Sequence, residues 1–107
     1  MVRQMTREEL KSAARSLPLE PGVYLMHDAN NTVIYVGKAK KLKNRVSQYF
    51  QDTASHNTKT RRMVAQVDSF ETIVAATEFE ALVLECSLIM HYMPKYNIIL
   101  KDDKGYP

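Results

Sequence analysis

The chain has 107 residues, 45% of them apolar, with 4 prolines, 3 glycines and one cysteine. That is one domain's worth of packed protein, and the lone Cys86 excludes an internal disulfide framework and fits a reducing, cytoplasmic setting. The net charge of +3 is uneven: residues 1–62 hold 12 Lys and Arg against 5 Asp and Glu, while residues 63–107 hold 3 against 7, so a polyanion such as nucleic acid suits the first half.

In chain order, the opening MVRQMTREEL is too charged for a secretory signal, and no apolar run approaches a membrane span. Thr6 and Glu9 have the spacing of a helix capping box, and Pro18 and Pro21 end that helix near Leu17. Residues 22–26 and 32–36 read as strands joined by the turn formers of residues 28–31, a β-hairpin. Leu42, Val46, Tyr49 and Phe50 recur at helical spacing until the turn formers of residues 52–57. A further helix starts near Thr58, with Met63, Val64 and Val67 as core positions. Residues 70–76, rich in β-branched side chains, form a third strand. Thr77 and Glu80 make a second capping box for a helix that runs to Met93 and stops at Pro94. The order α-β-β-α-α-β-α predicts an α+β fold with a small mixed three-stranded sheet flanked by helices.

Four positions strain a purely packing account. The neighbours of Glu85 one helical turn away are Ala81, Leu82, Leu88 and Ile89, all apolar, so its carboxylate is expected to point inward. There it needs a structural ion pair, a metal or hydrogen-bond donors. Tyr24 and Tyr35 are expected on one face of the hairpin, either as packing residues or, next to Lys38 and the basic run after it, as part of a site. Arg45 lies at the border of the apolar helical stripe, one turn before Tyr49, and its planar fork suits a phosphate. Gly37 ends the predicted second strand, as a simple terminator or to admit φ > 0 or a close neighbour. Lys41 and Lys43 point further from the stripe, toward solvent or phosphate. His27, His56 and His91 are too dispersed for a zinc site, Cys86 is assigned to the core, and there is no glycine-rich nucleotide loop.

Together these residues resemble a known family. GVY at residues 22–24 and YVG at 35–37 are similar to the two halves of the GIY-YIG nuclease motif, with valine for isoleucine in each, and Arg45 and Glu85 match its further positions. The stretches PGVYLM, VIYVGKAKKLKNRVSQYF, FEALVLECSLI and PKYNIILKDDKGYP narrow the resemblance to the N-terminal domain of the UvrC family of bacterial excision-repair nucleases. It covers residues 21–107, with residues 1–20 as a helical lead-in, and implies that the chain is part of a longer protein.

The resemblance implies a GIY-YIG nuclease fold and a DNA endonuclease that cuts on the 3′ side of a lesion, inactive without its partners. One divalent cation, Mg²⁺ or Mn²⁺, would sit at Glu85. Tyr35 would be the general base, its pKa lowered by Lys38 and Arg45. Arg45 would also stabilise the phosphate, Tyr24 and Tyr49 would donate hydrogen bonds to it or position the water, and Asn97 would order the site. Lys40, Lys41, Lys43, Lys59, Arg61 and Arg62 would grip the DNA backbone. The implied partners are damaged double-stranded DNA and a UvrB-type helicase subunit, with no membrane. Competing readings are a non-catalytic module that binds DNA or a repair partner on the same fold, and a different nuclease of the superfamily.

Overall fold

A computed structural model of the chain describes residues 5–51 and 56–98. Most of the 52–57 turn and the LKDDKGYP stretch lie outside the described residues. The elements follow the expected order: α1 (Arg7–Arg15), β1 (Gly22–His27), β2 (Val33–Ala39), α2 (Leu42–Tyr49), α3 (Thr58–Gln66), β3 (Ser69–Val74) and α4 (Glu78–Tyr92). The Thr6–Glu9 capping box closes α1 in both directions. At α4 only half a box forms. The Thr77 hydroxyl accepts from the Glu80 N–H at 3.1 Å, while the Glu80 carboxylate reaches past Thr77 to the Ala76 N–H at 2.9 Å.

The sheet has strand order β2-β1-β3 and is antiparallel throughout, not mixed. The α2–α3 crossing carries the chain from one side of β1 to the other, so β2 and β3 run the same way but never touch. The second strand also passes its predicted end at Val36 and continues through Gly37 and Lys38 to Ala39. There Lys38 pairs with Val23 and Ala39 with Gly22, and this ladder overrides the poor strand propensity of glycine and lysine.

The hairpin carries a register shift. His27 pairs with Val33 but Met26 pairs with Tyr35, which leaves Ile34 as an extra residue. Without it, the odd-length loop between His27 and Val33 would set Tyr35 opposite Leu25, on the wrong face for Tyr24. The bulge turns Ile34 and Tyr35 to the face shared by Tyr24 and Met26.

That face is covered by α1, α2 and α3. Leu10, Ala14, Tyr24, Met26, Leu42, Val46, Phe50, Met63 and Val64 form its core, so the helical lead-in is packed into the same unit. Among the described residues the opposite face is covered by α4, with Val23, Leu25 and Val36 meeting Ala81, Leu84, Leu88 and Ile89. One helix lying on three strands leaves its far side in water. Phe79 is 74% exposed and Met90 77%, Cys86 is exposed instead of in the core, and Glu85 is half-buried, not fully inward. An apolar helical surface all round does not bury a helix when the domain supplies a partner for one side only. No described helix is long and apolar enough to cross a membrane.

Candidate active site

Three tyrosines converge where β1, β2 and α2 meet. The ring centroids of Tyr24 and Tyr49 are 5.6 Å apart, those of Tyr24 and Tyr35 6.2 Å, and those of Tyr35 and Tyr49 6.5 Å. The Tyr24 and Tyr49 hydroxyls share a buried hydrogen bond of 2.8 Å. Such a cluster needs its strands at one fixed height, and two features fix it.

The first is Gly37, which pairs with Tyr24 across the ladder. A Cβ at this position would fall inside the Tyr24 phenol. Gly37 therefore makes room for an aromatic ring lying across the neighbouring strand; it is not there to turn the chain. The second is Asn97. β2 is an edge strand, so the Val36 peptide groups that point away from β1 lack a strand partner. The Asn97 carboxamide takes both: its oxygen accepts from the Val36 N–H at 2.8 Å, and its nitrogen donates to the Val36 carbonyl at 2.8 Å. Val36 lies between Tyr35 and Gly37, so this clasp holds the strand at the site.

Arg45 comes from α2, with its guanidinium carbon 5.7 Å from the Tyr49 ring centroid. It borders a cavity of about 510 Å³ together with Lys38, Ala39, Lys40, Glu78, Phe79, Ala81 and Leu82. Lys40 and Lys41 also share a shallow depression with Arg45, Asn44 and Gln48. Lys43 lines another depression, with Arg15, Asn44, Ser47, Gln48 and Gln51. Arg61 and Arg62 are exposed on α3 and Lys59 is half-buried there. Lys40, Lys41 and Lys43 thus lie on adjoining depressions that share Asn44 and Gln48, while Lys59, Arg61 and Arg62 come from α3.

Burial dominates the electrostatics. It pushes the Tyr24 hydroxyl well above the usual phenol range, with Tyr49 and Tyr35 adding to the shift and Arg45 opposing it. The Tyr35 phenol is likewise raised, first by burial and then by Tyr49, with Arg45 pulling it down and Glu85 pushing it up. Arg45 lowers the Tyr35 pKa as expected, but desolvation outweighs one guanidinium and the net shift is upward, and Lys38 is not among the causes. Arg45 in turn is held more firmly in its charged form, chiefly by Tyr24 and Tyr49.

The influence of Glu85 on Tyr35 places its carboxylate within electrostatic reach of that phenol. Among the described residues no three His, Cys, Asp or Glu side chains are grouped to hold a metal. A single half-buried carboxylate near one phenol fits a hard cation that keeps most of its own water, and does not fit a caged zinc.

Some neighbours of the site carry no sequence signal. His56 lies against Tyr49 with ring centroids 6.1 Å apart, and its Nε2 donates to the Gln48 carbonyl at 3.1 Å. With Asn57, Thr60 and Arg45 it lines a pocket of about 240 Å³. Glu78, Phe79 and Leu82 reach the Arg45 cavity from more than thirty positions away in sequence, a juxtaposition that only the fold creates.

Residues 20–98 match the family described as the UvrC-like GIY-YIG domain. The UvrABC system protein C of Clostridium tetani is 62% identical over 91 residues, covering 85% of this chain and 15% of that protein. Its counterpart in Ruminiclostridium cellulolyticum is 60% identical over 101 residues, covering 94% and 16%. The chain thus spans about 15% of the length of these relatives. The crystal structure of the GIY-YIG N-terminal endonuclease domain of UvrC from Thermotoga maritima, bound to magnesium as its catalytic divalent cation, matches with a TM-score of 0.76. It is 39% identical, and the match covers 86% of this chain and 98% of that one.

Proposed function

The chain belongs to the UvrC-like GIY-YIG family, and from that membership we propose that it is the endonuclease domain of an excision-repair protein, cutting DNA on the 3′ side of a lesion. The observation that supports this best is the convergence of Tyr24, Tyr35 and Tyr49 with the Arg45 guanidinium and the Glu85 carboxylate.

In this reading Glu85 holds one divalent cation, Mg²⁺ or Mn²⁺, of the kind bound by the Thermotoga maritima domain. Bound there, the cation supplies charge neutralisation at the phosphate and a more acidic water. Tyr35 is the general base: the attacking water gives its proton to the phenolate oxygen, its oxygen bonds to phosphorus, and the 3′ oxygen departs. Because burial holds the Tyr35 proton, the base form is scarce at neutral pH and the rate should climb as pH rises. Arg45 donates its fork to the phosphate in flight, with Lys38 beside it. Tyr49 faces the phosphate, while Tyr24 orients Tyr49 through the 2.8 Å hydrogen bond. Gly37 and Asn97 are positioning residues.

Lys40, Lys41, Lys43, Lys59, Arg61 and Arg62 carry the DNA backbone away from the reaction centre. Backbone contacts read little sequence, which suits repair of arbitrary lesions. The partners are damaged double-stranded DNA and a UvrB-type helicase subunit, in the cytoplasm. The test is 3′ incision by the full protein with its partner subunits, comparing Tyr35→Phe, Arg45→Ala and Glu85→Gln with wild type. A loss of about 10²–10⁴-fold in Tyr35→Phe is expected for removal of a general base. Folded variants that cut at the wild-type rate would overturn the assignment. The raised Tyr35 pKa is the one observation favouring a binding module without catalysis, and the same assay decides between the two.

A further inference from the structure

The cavity of about 510 Å³ beside Arg45 has two unlike walls. One is cationic: Lys38 from the end of β2, Lys40 just after it, and Arg45 from α2. The other is the first turn of α4, with Ala81 and Leu82 and, at the rim, Phe79 and Glu78. Phe79 is 74% exposed and Leu82 41%, and neither belongs to the core clusters, so their apolar surface is not used in holding the fold.

A nucleotide has the matching division, an anionic phosphate and a flat apolar base with polar edges. Aromatic rings beside a basic groove are platforms on which nucleic-acid bases stack. We infer that this cavity is a nucleobase subsite, taking one unstacked base of the DNA strand next to the phosphate held by Arg45. The base lies against Leu82 and the Phe79 ring, and its phosphates face Lys38 and Lys40. Glu78 can accept a hydrogen bond from an exocyclic amino group such as that of cytosine. The inference rests on the nuclease reading, which sets the cut near a lesion, where unstacking a base costs least.

The test is an NMR titration of the isotope-labelled chain with a single-stranded trinucleotide, and with an abasic sugar-phosphate trimer of equal charge. The trinucleotide should produce ring-current shifts on the methyls of Ala39, Ala81 and Leu82. Phe79→Ala should weaken its binding by about five- to a hundredfold, the range for loss of one stacked base. The same variant should leave the abasic trimer's affinity unchanged, and Phe79→Trp should retain the trinucleotide. Phe79→Ala weakening both oligomers alike, or neither, overturns the subsite, as does wild type that binds no trinucleotide or shifts no cavity methyl. This readout needs no incision: Tyr35→Phe, Arg45→Ala and Glu85→Gln proteins that all cut at the 3′ side normally remove catalysis from this domain and leave the stacking result standing, whereas failure of the titration leaves the incision assay intact.

Discussion

The two faces of the sheet solve different problems with the same three strands. The face under α1, α2 and α3 is closed over a continuous core, with Phe50 and Phe70 stacked at a centroid distance of 5.8 Å. The face under α4 has two small clusters and a helix whose outer side stays in water. The tyrosines belong to the closed face, and burial there raises the Tyr24 and Tyr35 phenols above their usual range. Glu85 comes from α4, half-buried and still within electrostatic reach of Tyr35.

The contrast is tested most severely by deleting one ring from each face. Phe50, 1% exposed, should cost about 3–5 kcal/mol as Phe50→Ala, whereas Phe79, 74% exposed, should cost less than about 0.5 kcal/mol as Phe79→Ala, both from urea midpoints. Similar losses would mean that the two faces are equally packed. Gly37→Ala comes next: the methyl must displace the Tyr24 ring, at about 1–3 kcal/mol, and near-ultraviolet circular dichroism should report the tyrosine shift. Asn97→Ala uncovers two backbone groups at the edge of β2 for about 1–3 kcal/mol, with faster hydrogen exchange at the Val36 amide as its signature.

The smallest effect near neutral pH is the tyrosines' own. A phenol whose folded pKa lies above its unfolded value of about 10 keeps its full stability contribution below that pH. Above it the unfolded chain releases a proton that the folded chain retains, so stability falls as pH rises. Tyr24→Phe should flatten that alkaline slope in denaturant titrations. An unchanged slope would show that water reaches this side of the sheet.

What could be read in advance follows the same division. Capping residues at Thr6 and Thr77 and the helical spacing of Leu42, Val46 and Tyr49 are local patterns, and the fold honours them, as it does the expected shared face of Tyr24 and Tyr35. The two tyrosines share a face for a reason hidden in the residues, the bulge at Ile34 that corrects an odd loop. For Glu85 and Cys86 local reading misleads. A helix apolar on every side gives no sign of which side will find a partner, and three strands cover only one. The direction of the Tyr35 shift was also beyond local reading: neighbouring cations are visible in the sequence, whereas desolvation by α2 and the other tyrosines arises only in the fold. The Lys38–Phe79 cavity is long-range in the same way.

In the proposed reading Tyr35 takes the proton of the attacking water as its phenolate, the form that burial makes scarce near neutral pH. The most direct measurement is the pH dependence of single-turnover 3′ incision by the full protein with its partners, for wild type and Tyr35→Phe. The account predicts a wild-type rate that rises about tenfold per pH unit through neutrality without levelling off below about pH 9, and a Tyr35→Phe rate about 10²–10⁴-fold lower. Folded Tyr35→Phe protein that incises at the wild-type rate, with the same pH slope, would contradict it.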